Sequence, residues 1–116
     1  MNEVLTVQEA RTIYPTCSIK GHAQIERGAV IGEDSYIGNY VRINKEATIG
    51  KRAAIFDYAK IGFGCVVGRD AYIGSSSIMS SGSVVGDLYD LKQNECVGIE
   101  EIRNAEDSLL KYAGLI

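Results

Sequence analysis

The chain has 116 residues and a formal net charge of −3, from 12 lysine and arginine against 15 aspartate and glutamate residues. This length predicts one domain, and the small excess of acid offers no long-range attraction to nucleic acid or an anionic membrane. The sequence has no apolar run of the ~18 residues that a membrane span needs, and its start lacks a signal-peptide pattern. We therefore expect a cytoplasmic protein that binds neither nucleic acid nor membrane.

Residues 1–12 precede the regular part of the sequence, and we expect them to form an N-terminal cap. The run Thr6-Val7-Gln8-Glu9 has the spacing of a capping box, and Tyr14-Pro15 would stop a helix soon afterwards. The pattern predicts a short helix over about residues 7–11, with a first β-strand as the alternative. Either element would cover an open sheet edge.

From Ile13 to Asp90, a six-residue pattern repeats thirteen times without an insertion. The first position is large and apolar throughout: Ile13, Ile19, Ile25, Ile31, Ile37, Ile43, Ile49, Ile55, Ile61, Val67, Ile73, Met79 and Val85. The fifth position is small except at Val41 and Tyr89, and the second position is often glycine. A fixed period of this kind indicates a repeat architecture.

The six-residue spacing predicts one short strand and one corner per hexad. The fifth position and the following first position are two residues apart, so both side chains point to the same side of an extended segment. The residues after the apolar position are glycine, asparagine, aspartate, lysine and glutamate types that suit a turn. Three corners close a triangle, so one coil takes eighteen residues, and residues 13–90 make a little over four coils.

The end of the chain is expected to leave this pattern. Tyr89 is too large for the small position, so residues 91–99 are interpreted as an irregular exit segment. Residues 100–116 are predicted to be a C-terminal helix, because apolar residues recur there at helical spacing. These residues are Ile102, Ala105, Leu109, Tyr112, Ala113 and Ile116.

The hexads resemble the hexapeptide-repeat superfamily, of the bacterial transferase hexapeptide type. That resemblance implies an all-β fold, a left-handed parallel β-helix of about four triangular coils, followed here by the C-terminal α-helix. The left hand comes from the resemblance alone. Cys96-Val97-Gly98-Ile99 is similar to the end of the coils in many hexapeptide acyltransferases, although Glu100-Glu101 stand where those enzymes have Pro-Ala.

One outward stripe on the predicted coil is uncharged and needs a cover. It consists of Thr12, Val30, Thr48, Val66 and Val84, and Tyr36 and Tyr72 lie on the next face. An apolar stripe of this length is unusual on a free surface. The resemblance implies a homotrimer, and we expect subunit packing and the C-terminal helix to cover these surfaces.

The superfamily resemblance also implies a chemistry, which is acyl transfer from coenzyme A or acetyl-CoA with a histidine as general base between subunits. The only histidine is His22, at a corner. Asn39 and Asp57 stand in the neighbouring column and could orient it, and Tyr40 and Tyr58 stack above it as candidate substrate-binding residues. A solvated turn histidine and structural corner tyrosines are the alternative interpretations.

Other site types fit the sequence less well. The γ-class carbonic anhydrases hold zinc with three histidines, and one histidine per chain does not match that pattern, so no metal is expected. The three cysteines do not suggest a disulfide framework, because Cys17 and Cys65 would lie on the order of 12 Å apart.

Two hypotheses of function remain. The favoured one is a trimeric, non-catalytic assembly or binding module, because the repeat has no inserted loop and few acid–base groups. The alternative is a small coenzyme A-dependent acyltransferase with an active site between subunits and His22 as base.

Overall fold

The computed structural model describes residues 3–104, which form one short helix and a column of two- and three-residue strands. The helix α1 spans Val7–Ile13. The strands are, in chain order, β1 (Val4–Leu5), β2 (Ser18–Ile19), β3 (Gln24–Glu26), β4 (Val30–Ile31), β5 (Tyr36–Ile37), β6 (Arg42–Ile43), β7 (Thr48–Ile49), β8 (Ala54–Ile55), β9 (Lys60–Ile61), β10 (Val66–Val67), β11 (Tyr72–Ile73), β12 (Ile78–Met79), β13 (Val84–Val85), β14 (Asp90–Leu91), β15 (Cys96–Val97) and β16 (Ile102–Arg103).

Three parallel sheets enclose the interior. Face one contains β3, β6, β9, β12 and β15; face two contains β4, β7, β10, β13 and β16; face three contains β2, β5, β8, β11 and β14. Each strand pairs with the strand eighteen residues further on, as Ile31 does with Ile49. The coil of three hexads per turn is therefore confirmed. The left-handed sense of the coil stays a prediction.

The coil is longer at its C-terminal end than predicted, because residues 91–99 are not an irregular exit. The strands β14, β15 and β16 continue the repeat, which gives about five turns rather than four. Leu91 and Val97 fill the inward position and have no exposed surface. The predicted helix does not begin at Glu100, because Ile102 and Arg103 pair with β13. Its remaining part, residues 105–116, lies outside the described residues.

The repeat also starts later than the sequence pattern predicts. Thr12 and Ile13 belong to α1, so Ile13 is 53% exposed rather than inward, and Thr12 is not part of the outward stripe. The hydroxyl of Thr12 donates to the carbonyl of Gln8 within the helix. The first strand of the coil is β2, in which Ile19 is buried.

Isoleucine side chains fill the interior, as the first position of the hexad predicts. Ile37, Ile43 and Ile55 are fully buried, and each stabilises the fold by roughly 1.5–3 kcal/mol. The small fifth position also admits serine, because the hydroxyl can bond to a neighbouring turn. Ser35 donates to the carbonyl of Gly50 at 2.9 Å, and Ser77 donates to the carbonyl of Lys92 at 2.8 Å.

The N-terminal cap extends to Tyr14 and closes the first turn through three separate contacts. The strand β1 pairs antiparallel with β3 on face one. The guanidinium of Arg11 donates to the carbonyl of Ile19 on face three, and the hydroxyl of Tyr14 donates to the carbonyl of Ala29 at the start of face two. The predicted capping box of α1 is present, with Thr6 and Glu9 bonded reciprocally. Helix and strand, predicted as alternatives, therefore both occur.

The corners use two positions of the hexad differently. The fourth position usually has positive φ, and non-glycine residues such as Arg52 and Leu88 occupy it at 56° and 63°. The second position holds glycine where the backbone of the next turn lies very close: a Cβ on Gly50 would be 2.6 Å from the nitrogen of Arg69. Most glycines of the repeat therefore serve close approach rather than the left-handed conformation.

Candidate functional site

Three aromatic rings form a stack at the corner between face three and face one. The rings of His22 and Tyr40 lie 4.8 Å apart, and those of Tyr40 and Tyr58 lie 5.1 Å apart, with interplanar angles of 8° in both pairs. The three residues occupy the same position on successive turns. We call this group the aromatic corner.

The backbone of the aromatic corner is held by hydrogen bonds between turns. Tyr40 and Tyr58 have φ values of 61° and 66°, which is uncommon for bulky residues and costs about 1–2 kcal/mol each. The N–H of Tyr58 donates to the carbonyl of Asn39 at 3.0 Å, and the N–H of Ser76 donates to the carbonyl of Asp57 at 2.9 Å. These bonds and the ring stacking offset the backbone cost.

Asn39 and Asp57 lie beside the stack, as predicted, and their observed contact is with each other. The backbone N–H of Asn39 donates to Oδ1 of Asp57 at 2.9 Å. Within residues 3–104, neither side chain makes a hydrogen bond to His22. The structure thus brings all five predicted residues to one corner, while the roles of base, orienters and substrate contacts stay predictions.

The His22 ring is exposed and has one face covered by Tyr40. Tyr40 and Tyr58 are 52% and 58% exposed. Stacking fixes the plane of the imidazole and leaves its nitrogen-bearing edge accessible to a molecule in the solvent or on another subunit. This arrangement is compatible with proton transfer from an external molecule to the imidazole.

A second aromatic group, which sequence reasoning did not identify as a cluster, lies on face three. The Phe56 ring sits between Tyr36 and Tyr72, at 5.4 Å and 4.5 Å from their ring centres. The Lys20 ammonium lies 5.6 Å from the centre of the Tyr36 ring. The available signal was Ala54, which lies on the turn between those of the two tyrosines and whose small side chain leaves room there for the Phe56 ring.

The sequence also did not predict a groove that the structure shows on face one. It has a volume of 340 Å³ and opens on the side of face one away from the aromatic corner. We call it the face-one groove. It is lined by Arg42, Asn44, Lys60, Ile61, Gly62, Ile78, Met79, Ser80, Ser81 and Ile99.

In the part of the chain that the structure describes, the cysteines and acidic residues do not assemble a metal site. Cys17, Cys65 and Cys96 are free thiols, and Cys65 is buried with its sulfur 3.0 Å from the carbonyl oxygen of Ser80. Over residues 3–104, no group of three or more metal-binding side chains comes together. In the same range, no helix is long and apolar enough to cross a membrane.

Comparison with solved structures finds the same architecture in acetyltransferases. The serine acetyltransferase of Neisseria gonorrhoeae, solved with serine, matches with a TM-score of 0.67 and 25% identity, over 72% of this chain and 37% of the enzyme. Two serine acetyltransferases of Entamoeba histolytica also match. Isoform 3, solved with cysteine, has a TM-score of 0.54 and 25% identity over 81% of this chain and 38% of that enzyme. Serine acetyltransferase 1, solved with L-cysteine, has a TM-score of 0.50 and 28% identity over 79% of this chain and 42% of that enzyme.

The chain belongs to the hexapeptide-repeat superfamily. The uninterrupted hexads, the parallel sheets with an eighteen-residue register and these structural relatives agree on that assignment. This hexapeptide-repeat protein spans about two fifths of the length of the serine acetyltransferases that it matches. No protein-family model and no curated protein matches it.

Proposed function

We propose that this hexapeptide-repeat protein is an acyltransferase that moves an acyl group from a coenzyme A thioester to a hydroxyl or amine. The observation that carries the proposal is the likeness to serine acetyltransferases at 25% to 28% identity and TM-scores of 0.50 to 0.67. It favours this function over the non-catalytic module that the sequence alone suggested. Because fold alone does not fix an activity, the proposal rests further on the residues of the aromatic corner.

His22 is the proposed general base. Its neutral imidazole accepts the proton of the acceptor hydroxyl or amine as the acceptor oxygen or nitrogen attacks the thioester carbonyl. The carbon–sulfur bond then breaks, and the imidazolium returns the proton to the departing thiolate. Tyr40 keeps the imidazole in one plane, and the exposed edges of Tyr40 and Tyr58 provide a wall for the acceptor. Asn39 and Asp57 would orient the imidazole only after a rearrangement of their present bond.

The donor would need more room than one chain provides. The face-one groove, at 340 Å³, is at the small end of ligand pockets, and a molecule as long as coenzyme A needs a longer channel. A second copy of the chain packed beside the aromatic corner would supply it. We therefore propose a homotrimer, supported by the exposed aliphatic side chains on face two, where Val30 is 56% and Ile102 is 62% exposed.

The trimer has its own test. Light scattering at micromolar protein concentration should give three times the chain mass of 12.6 kDa. A monomer mass would remove the inter-subunit active site and, with it, the proposed location of the donor.

The acyl-transfer proposal is tested by following free thiol release from acetyl-CoA with a panel of amine and hydroxyl acceptors. Acceptor-dependent turnover is expected in the wild type. His22→Ala should lower the rate by ~10²–10⁴-fold, because a general base is lost, with little change in melting temperature. Ser76→Ala is the matched control, since Ser76 lies in the same column two turns beyond Tyr40. Equal turnover in His22→Ala would remove His22 from the mechanism.

A non-catalytic module remains the second candidate, favoured by the absence of any insertion between the strands β2 to β16. Serine acetyltransferase-like chemistry needs an acceptor pocket, and a chain with uniform corners has little surface with which to build one. For this candidate, the wild type would show no thioester turnover, and coenzyme A would not raise its melting temperature by mass action.

A further inference from the structure

The face-one groove carries two cations on adjacent turns. Arg42 and Lys60 are partners in the parallel register of β6 and β9, so their side chains leave the sheet about 4.8 Å apart. The residues before and after them in this outward column are Gln24 and Ile78. The column thus lacks a carboxylate on either side of the two cations.

This arrangement differs from the placement of Arg52 and Arg69. Arg52 forms an ion pair with Asp70 at 2.9 Å, and Arg69 forms one with Asp87 at 3.3 Å, in both cases with the residue one turn further on. Within residues 3–104, neither Arg42 nor Lys60 has a carboxylate at ion-pair distance. Like charges directly opposite each other in a sheet are destabilising, so this pair costs stability in the absence of an anion.

The guanidinium of Arg42 is oriented by one side-chain hydrogen bond. Its Nε donates to Oδ1 of Asn44, two residues along the chain, at 3.1 Å. One edge of the guanidinium is thereby engaged, and the terminal nitrogens remain as donors for a ligand. A planar donor group positioned in this way suits the oxygens of phosphate or carboxylate.

The remaining walls of the groove combine hydroxyl and apolar groups. Ser80 and Ser81 line the groove and carry hydroxyls, and Ile78 and Ile99 are 40% and 75% exposed. Two cations and two hydroxyls match the double charge and three terminal oxygens of a phosphate monoester better than the single charge of a carboxylate. The exposed isoleucines match a short apolar group attached to that phosphate.

We propose that the face-one groove binds a small phosphate monoester, with the phosphate on Arg42 and Lys60 and a short apolar group against Ile78 and Ile99. The net charge of the whole chain is −3, so general attraction of anions does not account for such binding. The volume of 340 Å³ limits the ligand to a small molecule. This binding is independent of acyl transfer and would persist in a protein without turnover.

The test is a calorimetric titration at low ionic strength with n-butyl phosphate, methyl phosphate and butyrate. Saturable binding at one site is expected for butyl phosphate, about tenfold tighter than for methyl phosphate because additional methylenes are buried. Butyrate should bind at least tenfold more weakly than butyl phosphate. Equal affinity for butyrate, or no saturable binding of butyl phosphate, would overturn the proposal.

Matched variants locate the site. Arg42→Gln and Lys60→Gln should each weaken butyl phosphate binding by about tenfold or more, as expected for lost charge-assisted bonds. Lys51→Gln removes an exposed lysine at a different corner and should leave the affinity unchanged. Ile78→Ser should abolish the advantage of butyl over methyl phosphate.

A similar loss of affinity in Lys51→Gln would mean general anion attraction and would refute the assignment. Because the two cations repel each other, both glutamine variants should melt no lower than the wild type, which separates lost binding from lost folding.

Discussion

Gly50 offers a sharp test of how closely the turns of the coil approach one another. A Cβ placed on Gly50 would lie 2.6 Å from the nitrogen of Arg69, 2.6 Å from the carbonyl carbon of Gly68 and 2.9 Å from its oxygen. All three atoms belong to the backbone of the next turn, so a side-chain rotation does not relieve the overlap. Gly50→Ala therefore forces the two turns apart locally.

The cost can be estimated from the bonds that join the two turns. The N–H of Gly50 donates to the carbonyl of Val67 at 2.7 Å, and the N–H of Thr48 donates to the carbonyl of Cys65 at 2.8 Å. Overpacking of this kind costs about 1–3 kcal/mol, and each weakened hydrogen bond adds up to ~1 kcal/mol. Replacing glycine by alanine also stabilises the fold by about 0.4–1 kcal/mol, because it lowers the conformational entropy of the unfolded chain. We expect a net loss of roughly 2–3 kcal/mol, which lowers the melting temperature by about 8–15 °C.

The assay is urea unfolding followed by circular dichroism, with Gly21→Ala as the control. A Cβ on Gly21 would meet no atom within 4 Å, and its φ is not in the left-handed region, so this variant should match the wild type or exceed it slightly. A shift in midpoint without a change in slope would report stability alone. Equal stability of the two variants would refute the argument that glycine at the second position serves close approach.

Two further predictions concern the core and the charged corners. Ile61→Asp places a carboxylate in the dry interior, where Ile61 is 1% exposed, and should unfold the coil; a soluble variant with an unchanged melting temperature would contradict the inward assignment. The hydrogen bond from Arg52 lowers the pKa of Asp70 below its ordinary 3.8, so the pair stabilises the fold above that pH and the contribution disappears as the pH falls below it. Between neutral and acidic pH, the free energy of unfolding of Asp70→Asn should therefore fall less than that of the wild type. The difference should be small and should shrink at high salt, because the pair is exposed. An equal pH dependence of the two proteins would contradict this prediction.

The coil could be predicted from the sequence because the repeating pattern of apolar and small side chains marks the residues that are buried in the interior. Ile at the first position predicted the buried column, and the eighteen-residue register followed from three corners. The end of the coil was misjudged at Tyr89, which is half-buried and packs against the core although it occupies the small position. Near the last turns, Arg103 pairs with Glu95 and Glu101, so charged residues replace apolar ones without ending the strands.

The candidate site could be predicted only as a column of residues. The eighteen-residue spacing placed His22, Tyr40 and Tyr58 one above the other, and the ring stacking agrees with that. The spacing did not indicate that the Asp57 side chain would accept a hydrogen bond from the backbone of Asn39, since such a contact depends on rotamers. The sequence pattern did not predict the face-one groove either, because the groove combines residues of a strand with residues of a corner.

The N-terminal cap covers the strand edges of the first turn. A coil of near-identical turns exposes unpaired backbone groups at its first turn, and these can pair with any other strand edge. Here a strand, an arginine and a tyrosine each close one of the three sheets. We expect that removing residues 1–17 would uncover the first strands of all three sheets at once and promote end-to-end association of the coils.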